Sequence, residues 1–149
     1  MYGYQNNLYT YHQQLSKDRL LGGQTELDLL ETIKNTFGMD IKKTTGMFAK
    51  YDFYDDFTRI ELKTMRNPIL KYHKTIIGQN KIDYLLKRSR SKNCYILYKY
   101  PEGLYKIKID KDNSYKLEQN MTGGRKDRGI NEIKRGGYCY INIKYLEKI

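Results

Sequence analysis

The chain reads as one mixed α/β (α+β) domain, with a central mixed sheet flanked by helices. Three observations predict this. Apolar residues recur at helical spacing in two stretches, 25–37 and 77–88. They alternate, or run on at strand length, in 40–66, 94–100, 104–109 and 138–145. Neither an internal repeat nor a linker divides the 149 residues, a length within the ~100–200 of one domain. Helices and strands mixed in this order suggest one sheet with a helix on each side.

Taken in order, residues 1–22 carry Tyr, Gln and Asn without periodicity and read as an irregular arm, with a short helix over 12–20 and an end at Gly22-Gly23. Thr25 can N-cap a helix that runs to Phe37, with Glu26, Asp28 and Glu31 near the end that favours negative charge. Leu29, Ile33 and Phe37 fall at four-residue steps, with Leu30 beside them, and form one apolar stripe. Gly38 closes that helix. The period then changes to two. Ile41 to Thr45, Phe48 to Tyr54 and Phe57 to Thr64 read as three strands, with Asp55-Asp56 at the second turn. A second helix over 77–88 turns Ile77, Ile82, Leu85 and Leu86 inward. Cys94 to Tyr100 is a continuous apolar run, as expected of a central strand covered on both faces. Pro101-Glu102-Gly103 turns the chain into an alternating strand, Leu104 to Ile109. Residues 110–137 are polar and Gly-rich, and Tyr138 to Tyr145 alternates again. The core therefore spans 24–100, followed by C-terminal strands and a basic loop over 101–149.

Leu, Ile and Phe total 34 of 149 residues, just above the ~20% below which disorder is expected. The 16 Tyr supply much of the remaining apolar area, provided each hydroxyl finds water or a partner. No run of ~18 apolar residues could span a membrane. The opening Met-Tyr-Gly-Tyr-Gln-Asn-Asn lacks a signal pattern, which predicts an intracellular, soluble protein. Cys94 and Cys139 are too few for a metal cluster and read as buried thiols. With only His12 and His73, zinc fingers and His-based nuclease motifs are excluded. The 28 Lys and Arg against 17 Asp and Glu leave +11, and a surplus of that size points to a polyanionic partner.

One group of residues carries chemistry: Asp52, Glu61 and Lys63. Glu61 and Lys63 are two apart on a strand and share a face. If Asp55-Asp56 is a two-residue turn, Tyr54 pairs with Phe57 and Asp52 lies opposite Arg59, one rung from Glu61. Asp52, Arg59, Glu61 and Lys63 then project together, with diagonal neighbours roughly 7–8 Å apart, a gap a divalent ion can bridge. Carboxylates with a lysine alongside suit Mg²⁺ or Mn²⁺, not zinc. A three- or five-residue loop would flip the parity and make Asp56 the second carboxylate. The Glu-x-Lys tripeptide alone is weak evidence. Seven Glu and 20 Lys in 149 residues predict about one by chance, and Glu132-Ile133-Lys134 is a second copy in a basic, Gly-rich stretch. The first copy stands out by its strand, by the Asp at matching parity and by the helix before it.

Asp52 with Glu61-Leu62-Lys63 resembles the metal-site signature of the PD-(D/E)XK nuclease superfamily, which has the restriction-endonuclease-like fold. The order helix, three-strand meander, helix, strand is similar too, over about residues 24–100. The runs Ile-Glu-Leu-Lys-Thr, Ile77-Gly78-Gln79-Asn80-Lys81 and Cys94-Tyr95-Ile96-Leu97-Tyr98 are similar to small nuclease-like proteins of large DNA viruses. The resemblance implies that Asp52 and Glu61 hold the metal, that the Leu62 carbonyl adds a ligand, and that Lys63 orients or activates the attacking water. Glu26 matches the position of an extra acidic residue in many members, and Gln79 and Lys81 match a helix used near the scissile phosphate. Lys50-Tyr51 stands before Asp52 where a Pro is usual, a position that varies in the superfamily.

The expectation is a metal-dependent deoxyribonuclease with one site per chain, acting as a symmetric dimer or as a nicking monomer. RNA is a further candidate substrate. A nuclease-fold protein that binds nucleic acid, or builds a virion, without turnover is the alternative. Arg59 and the loop residues Arg125, Lys126 and Arg128 are the expected grips on the phosphate backbone, since Gly-rich basic segments let amides and guanidiniums approach it. Tyr2, Tyr4, Tyr9 and Tyr11 read as packing of the arm, and His73 as a surface residue.

Overall fold

A computed structural model describes residues 26–46, 49–120 and 137–149. The expected arm over 1–22, the Thr25 cap and the loop residues Arg125, Lys126 and Arg128, with Glu132 and Lys134, lie outside the described residues. The described residues divide into two compact units, one ending at Met39 and one running from Asp40 to Ile149.

In the first unit, residues 26–37 form helix α1. Ile33 is buried, and Leu29, Leu30 and Phe37 are half-buried, which is the stripe the four-residue spacing predicts. Gly38 takes φ 147° and donates its amide to the Lys34 carbonyl at 2.9 Å. Positive φ favours glycine, and the helix stops there.

The second unit contains β1 (Lys42–Lys43), β2 (Phe53–Tyr54), β3 (Thr58–Thr64), β4 (Lys74–Gly78), α2 (Gln79–Arg88), β5 (Asn93–Tyr100), β6 (Gly103–Lys108), β7 (Leu117–Asn120), β8 (Tyr138–Asn142) and β9 (Glu147–Lys148). Six strands make a mixed sheet in the order β1-β2-β3-β5-β6-β9. β3 and β5 are parallel, while β2 and β6 are antiparallel to their neighbours. A parallel pair needs a long crossover, and the connection between β3 and β5 carries α2. On β5, Ile96, Leu97 and Tyr98 are fully buried in succession, because the strand is central and covered on both faces.

Several expectations need correction. The described residues form two sheets, not one: β4-β8-β7 makes a second, three-stranded sheet. Ile77 opens no helix. It lies in β4 opposite Cys139, and α2 begins only at Gln79, capped by Gly78. β7 falls in the stretch expected to be loop and pairs with β8, while β8 stops at Asn142 and β9 closes on β6. The first two expected strands shrink to β1 and β2, with residues 47–48 outside the described set.

Ile77, Ile82, Leu85, Cys94, Ile96 and Tyr98 belong to one buried cluster between the sheets and α2. Both cysteines are free and buried, and burial pushes each thiol up to about 11, so neither is a nucleophile at neutral pH. Among the described residues, no helix is long and apolar enough to cross a membrane.

Candidate active site

The site is built on the β2–β3 hairpin. The observed register sets Phe53 opposite Ile60 and Tyr54 opposite Arg59, so Tyr54 does not pair with Phe57. The turn is displaced by one residue, to Asp56-Phe57: Asp55 donates its amide to the Thr58 carbonyl at 3.2 Å, and its Oδ1 accepts from the Phe57 amide at 2.7 Å. A shift of two preserves every face. Arg59, Glu61 and Lys63 therefore keep one face, and Asp56 remains in an exposed loop.

Asp52 precedes β2 and donates its amide to the Ile60 carbonyl at 2.8 Å. Its carboxylate Oδ2 accepts the Leu62 amide at 2.7 Å. β2 begins at Phe53, opposite Ile60, so among the described residues the edge of β3 at Leu62 has no strand partner on this side, and the Asp52 carboxylate takes the place of one. Amide and carbonyl of one strand residue point to the same edge, which turns the Leu62 carbonyl to the Asp52 side as well.

Glu61 sits at the boundary between hairpin and core. Its parallel partner on β5 is Ile96, and the partner of Lys63 is Tyr98, both part of the apolar face beneath α2. The Glu61 side chain is 13% exposed and pairs with Lys81 of α2, Nζ to Oε1 at 3.3 Å. Burial, and then the neighbouring Asp52 carboxylate, raise the Glu61 pKa to about 7, while Lys81 and Lys63 pull against the rise. Asp52, Glu61, Lys63 and Lys81 are thus gathered in one place. Lys81 was expected only as a secondary residue, yet it makes the direct contact with Glu61.

Gln79 is buried, and its Nε2 donates to Asp83 Oδ1 at 2.9 Å. Two residues on a helix are about 200° apart, so Gln79 and Lys81 leave α2 on different sides. Arg59 donates Nη1 to the carbonyls of Asp55 (2.5 Å) and Thr58 (2.7 Å). Its guanidinium lies 5.1 Å from the centroid of the Tyr51 ring. Glu26 stands on α1, in the first unit.

The donors fit a hard divalent cation. Among the described residues there is no group of three or more His, Cys, Asp or Glu that could hold a metal; the oxygen donors gathered here are the Asp52 and Glu61 carboxylates and the Leu62 carbonyl. Mg²⁺ is bound through one or two carboxylates and keeps several waters. Burial raises Glu61 most, and the Asp52 repulsion that adds to it is what such a cation would relieve.

The family model described as "Phage putative PDDEXK endonuclease" matches residues 20–149. The chain belongs to this family. Its α+β domain is that of a restriction-endonuclease-like PD-(D/E)XK protein, its general activity class is nuclease, and nucleic acid is its substrate class. PD-(D/E)XK nucleases generally use divalent metals. No curated protein and no solved structure matches the chain.

Sequence reasoning passed over one feature of this PD-(D/E)XK domain. Tyr51, beside Asp52, stacks on Tyr84 of α2 with centroids 6.1 Å apart. Lys81, Tyr84 and Arg88 fall at i, i+3 and i+7, a helical stripe visible in the sequence, but nothing local links that stripe to Tyr51.

The elevated Glu61 pKa has a consequence for stability. Without metal, the folded chain holds the Glu61 proton up to about pH 7, whereas the unfolded chain releases it near the ordinary 4.5. The stability this contributes is complete below the lower value and lost as pH rises through the upper one. Glu61→Gln removes the buried charge. In EDTA it is expected to stabilise the chain at pH 8 by on the order of 1–3 kcal/mol, with little gain at acid pH. Thermal melts at the two pH values check this; an equal shift at both contradicts it.

Proposed function

We propose that this nuclease hydrolyses phosphodiester bonds of DNA with a divalent metal, using Asp52, Glu61 and Lys63 at the reacting centre. The observation that carries the reading is the Asp52 carboxylate bonded to the Leu62 amide at 2.7 Å, beside a Glu61 whose pKa rises to about 7. Two acids held together at such a cost suit a cation better than a salt-bridge ladder, whose exposed pairs gain only ~0–1 kcal/mol each.

Asp52, Glu61 and the Leu62 carbonyl would hold Mg²⁺ or Mn²⁺. When bound, such an ion supplies Lewis acidity and lowers the pKa of water. Lys63, on the same face as Glu61, orients the attacking water and offsets negative charge as it grows on the phosphoryl oxygens. Water oxygen bonds to phosphorus and loses a proton to solvent, the bond from phosphorus to the leaving sugar oxygen breaks, and that oxygen takes a proton from solvent. No covalent intermediate with the protein is needed. Lys81 offsets the Glu61 charge from α2, and Gln79 orders the first turn of that helix. Arg59, together with Arg125, Lys126 and Arg128, grips the backbone of a substrate attracted by the +11 charge. The described residues hold one such carboxylate pair, so a double-strand break needs a second copy or a second encounter.

The test is a panel of labelled duplex, single-stranded and branched DNA, with Mg²⁺ or Mn²⁺ and with EDTA. Cleavage in metal and none in EDTA is expected. Intact DNA throughout, with binding that survives EDTA, would instead select a nuclease-fold protein that binds without turnover.

A further inference from the structure

Beside the carboxylate pair lies a cleft of about 360 Å³ lined by Ala49, Lys50, Asn80, Lys81 and Tyr84. Its lining includes a ring face, two ammonium groups and a carboxamide. Lys81 belongs both to the cleft and, through its 3.3 Å ion pair, to Glu61. The ring face extends beyond the cleft, because Tyr84 stacks on Tyr51 with an interplanar angle of 20°. Both rings are half-buried.

Cations surround this shelf. Lys50 Nζ lies 5.4 Å and the Arg88 guanidinium 5.5 Å from the Tyr84 centroid, and Arg59 covers Tyr51 at 5.1 Å. Among the described residues, none of Lys50, Arg59 and Arg88 forms an ion pair with a carboxylate. Three positive groups converge here with aromatic faces as their neighbours. A shelf that only packed the hairpin on α2 would not need them, since like charges drawn together repel.

Stacked rings with interleaved cations are the chemistry that binds unpaired nucleotides: the base lies on a ring, and the ammonium or guanidinium meets its phosphate. Inside a duplex, base faces are already covered by their neighbours, so an aromatic shelf offers them nothing. We propose that this shelf and cleft bind an unpaired nucleotide of the DNA substrate, with its base on Tyr84 and its phosphate at Lys50. Single strands, flaps and frayed ends are then preferred over an intact duplex. The inference rests on the nuclease reading for the role of the adjacent carboxylates, but its test reads binding alone.

The experiment measures fluorescence anisotropy of a labelled single strand and of a blunt hairpin duplex of related sequence, with the full chain in EDTA. Tyr84→Leu is expected to weaken single-strand binding about tenfold, to leave duplex binding within about twofold, and to be rescued by Tyr84→Phe. Equal losses on both substrates, no loss on the single strand, or failure of Tyr84→Phe to rescue would overturn the proposal. Should Tyr84→Leu fail to fold, 2-aminopurine in the single strand reads stacking on the unaltered protein. Quenching on binding is expected, and its absence overturns the proposal. Stacking without cleavage in any metal would leave this inference standing and the nuclease reading refuted.

Discussion

Glu61→Gln is expected to lower cleavage by at least about 100-fold while DNA binding stays equal or tightens. The two effects have one cause. The buried Glu61 carboxylate is a proposed metal ligand, and removing even an outer-shell partner of a ligand costs about 10–100-fold, so loss of the ligand itself should cost no less. The same substitution removes a negative charge from a surface that must face phosphate, which favours binding. The amide preserves shape and can still meet Lys81, so packing at the edge of the β5 face changes little. Cleavage rate and affinity, measured side by side, check it. Parallel losses of both would mean that Glu61 supports the fold of the site and holds no metal.

Lys63→Met is expected to lower cleavage by about 10²–10³-fold, the usual cost of one preorganised group facing developing charge. Affinity at moderate salt should change little, since one phosphate contact among several supplies a small share of binding. Methionine retains most of the apolar stem of lysine, so the strand position opposite Tyr98 stays filled. Lys81 does not replace Lys63, because it is paired with Glu61. A Lys63→Met variant that loses affinity in proportion to rate would make Lys63 an electrostatic anchor. Single-turnover rates and salt-titrated affinities separate the two roles.

The shared face of Arg59, Glu61 and Lys63 was legible because side chains on a strand alternate, and a slip of two residues leaves each on its side. The rung was not legible. It depends on Asp55, whose side-chain bond to the Phe57 amide and backbone bond to Thr58 place the turn at Asp56-Phe57. Asp52 was read as a carboxylate on a paired strand, whereas it bonds the Leu62 amide where pairing has stopped. Ile76 and Ile77 show why the second sheet was missed: a short apolar run beside a helix has no period of its own, and its partner β8 is distant in sequence. β7, Leu117–Asn120, carries one apolar residue, too few to show alternation. Lys81 was named from a resemblance, but its contact with Glu61 is tertiary, as is the stacking of Tyr51 on Tyr84.

The central claim is that Asp52 and Glu61 together hold the divalent metal. Calorimetric titration of Mn²⁺ into the wild type, Asp52→Asn, Glu61→Gln and Lys63→Met at pH 8 tests it without reference to turnover. Each carboxylate substitution is expected to weaken Mn²⁺ binding by more than about tenfold, and Lys63→Met to bind Mn²⁺ at least as well as wild type because it removes a neighbouring positive charge. Mn²⁺ affinity unchanged by both Asp52→Asn and Glu61→Gln would contradict it.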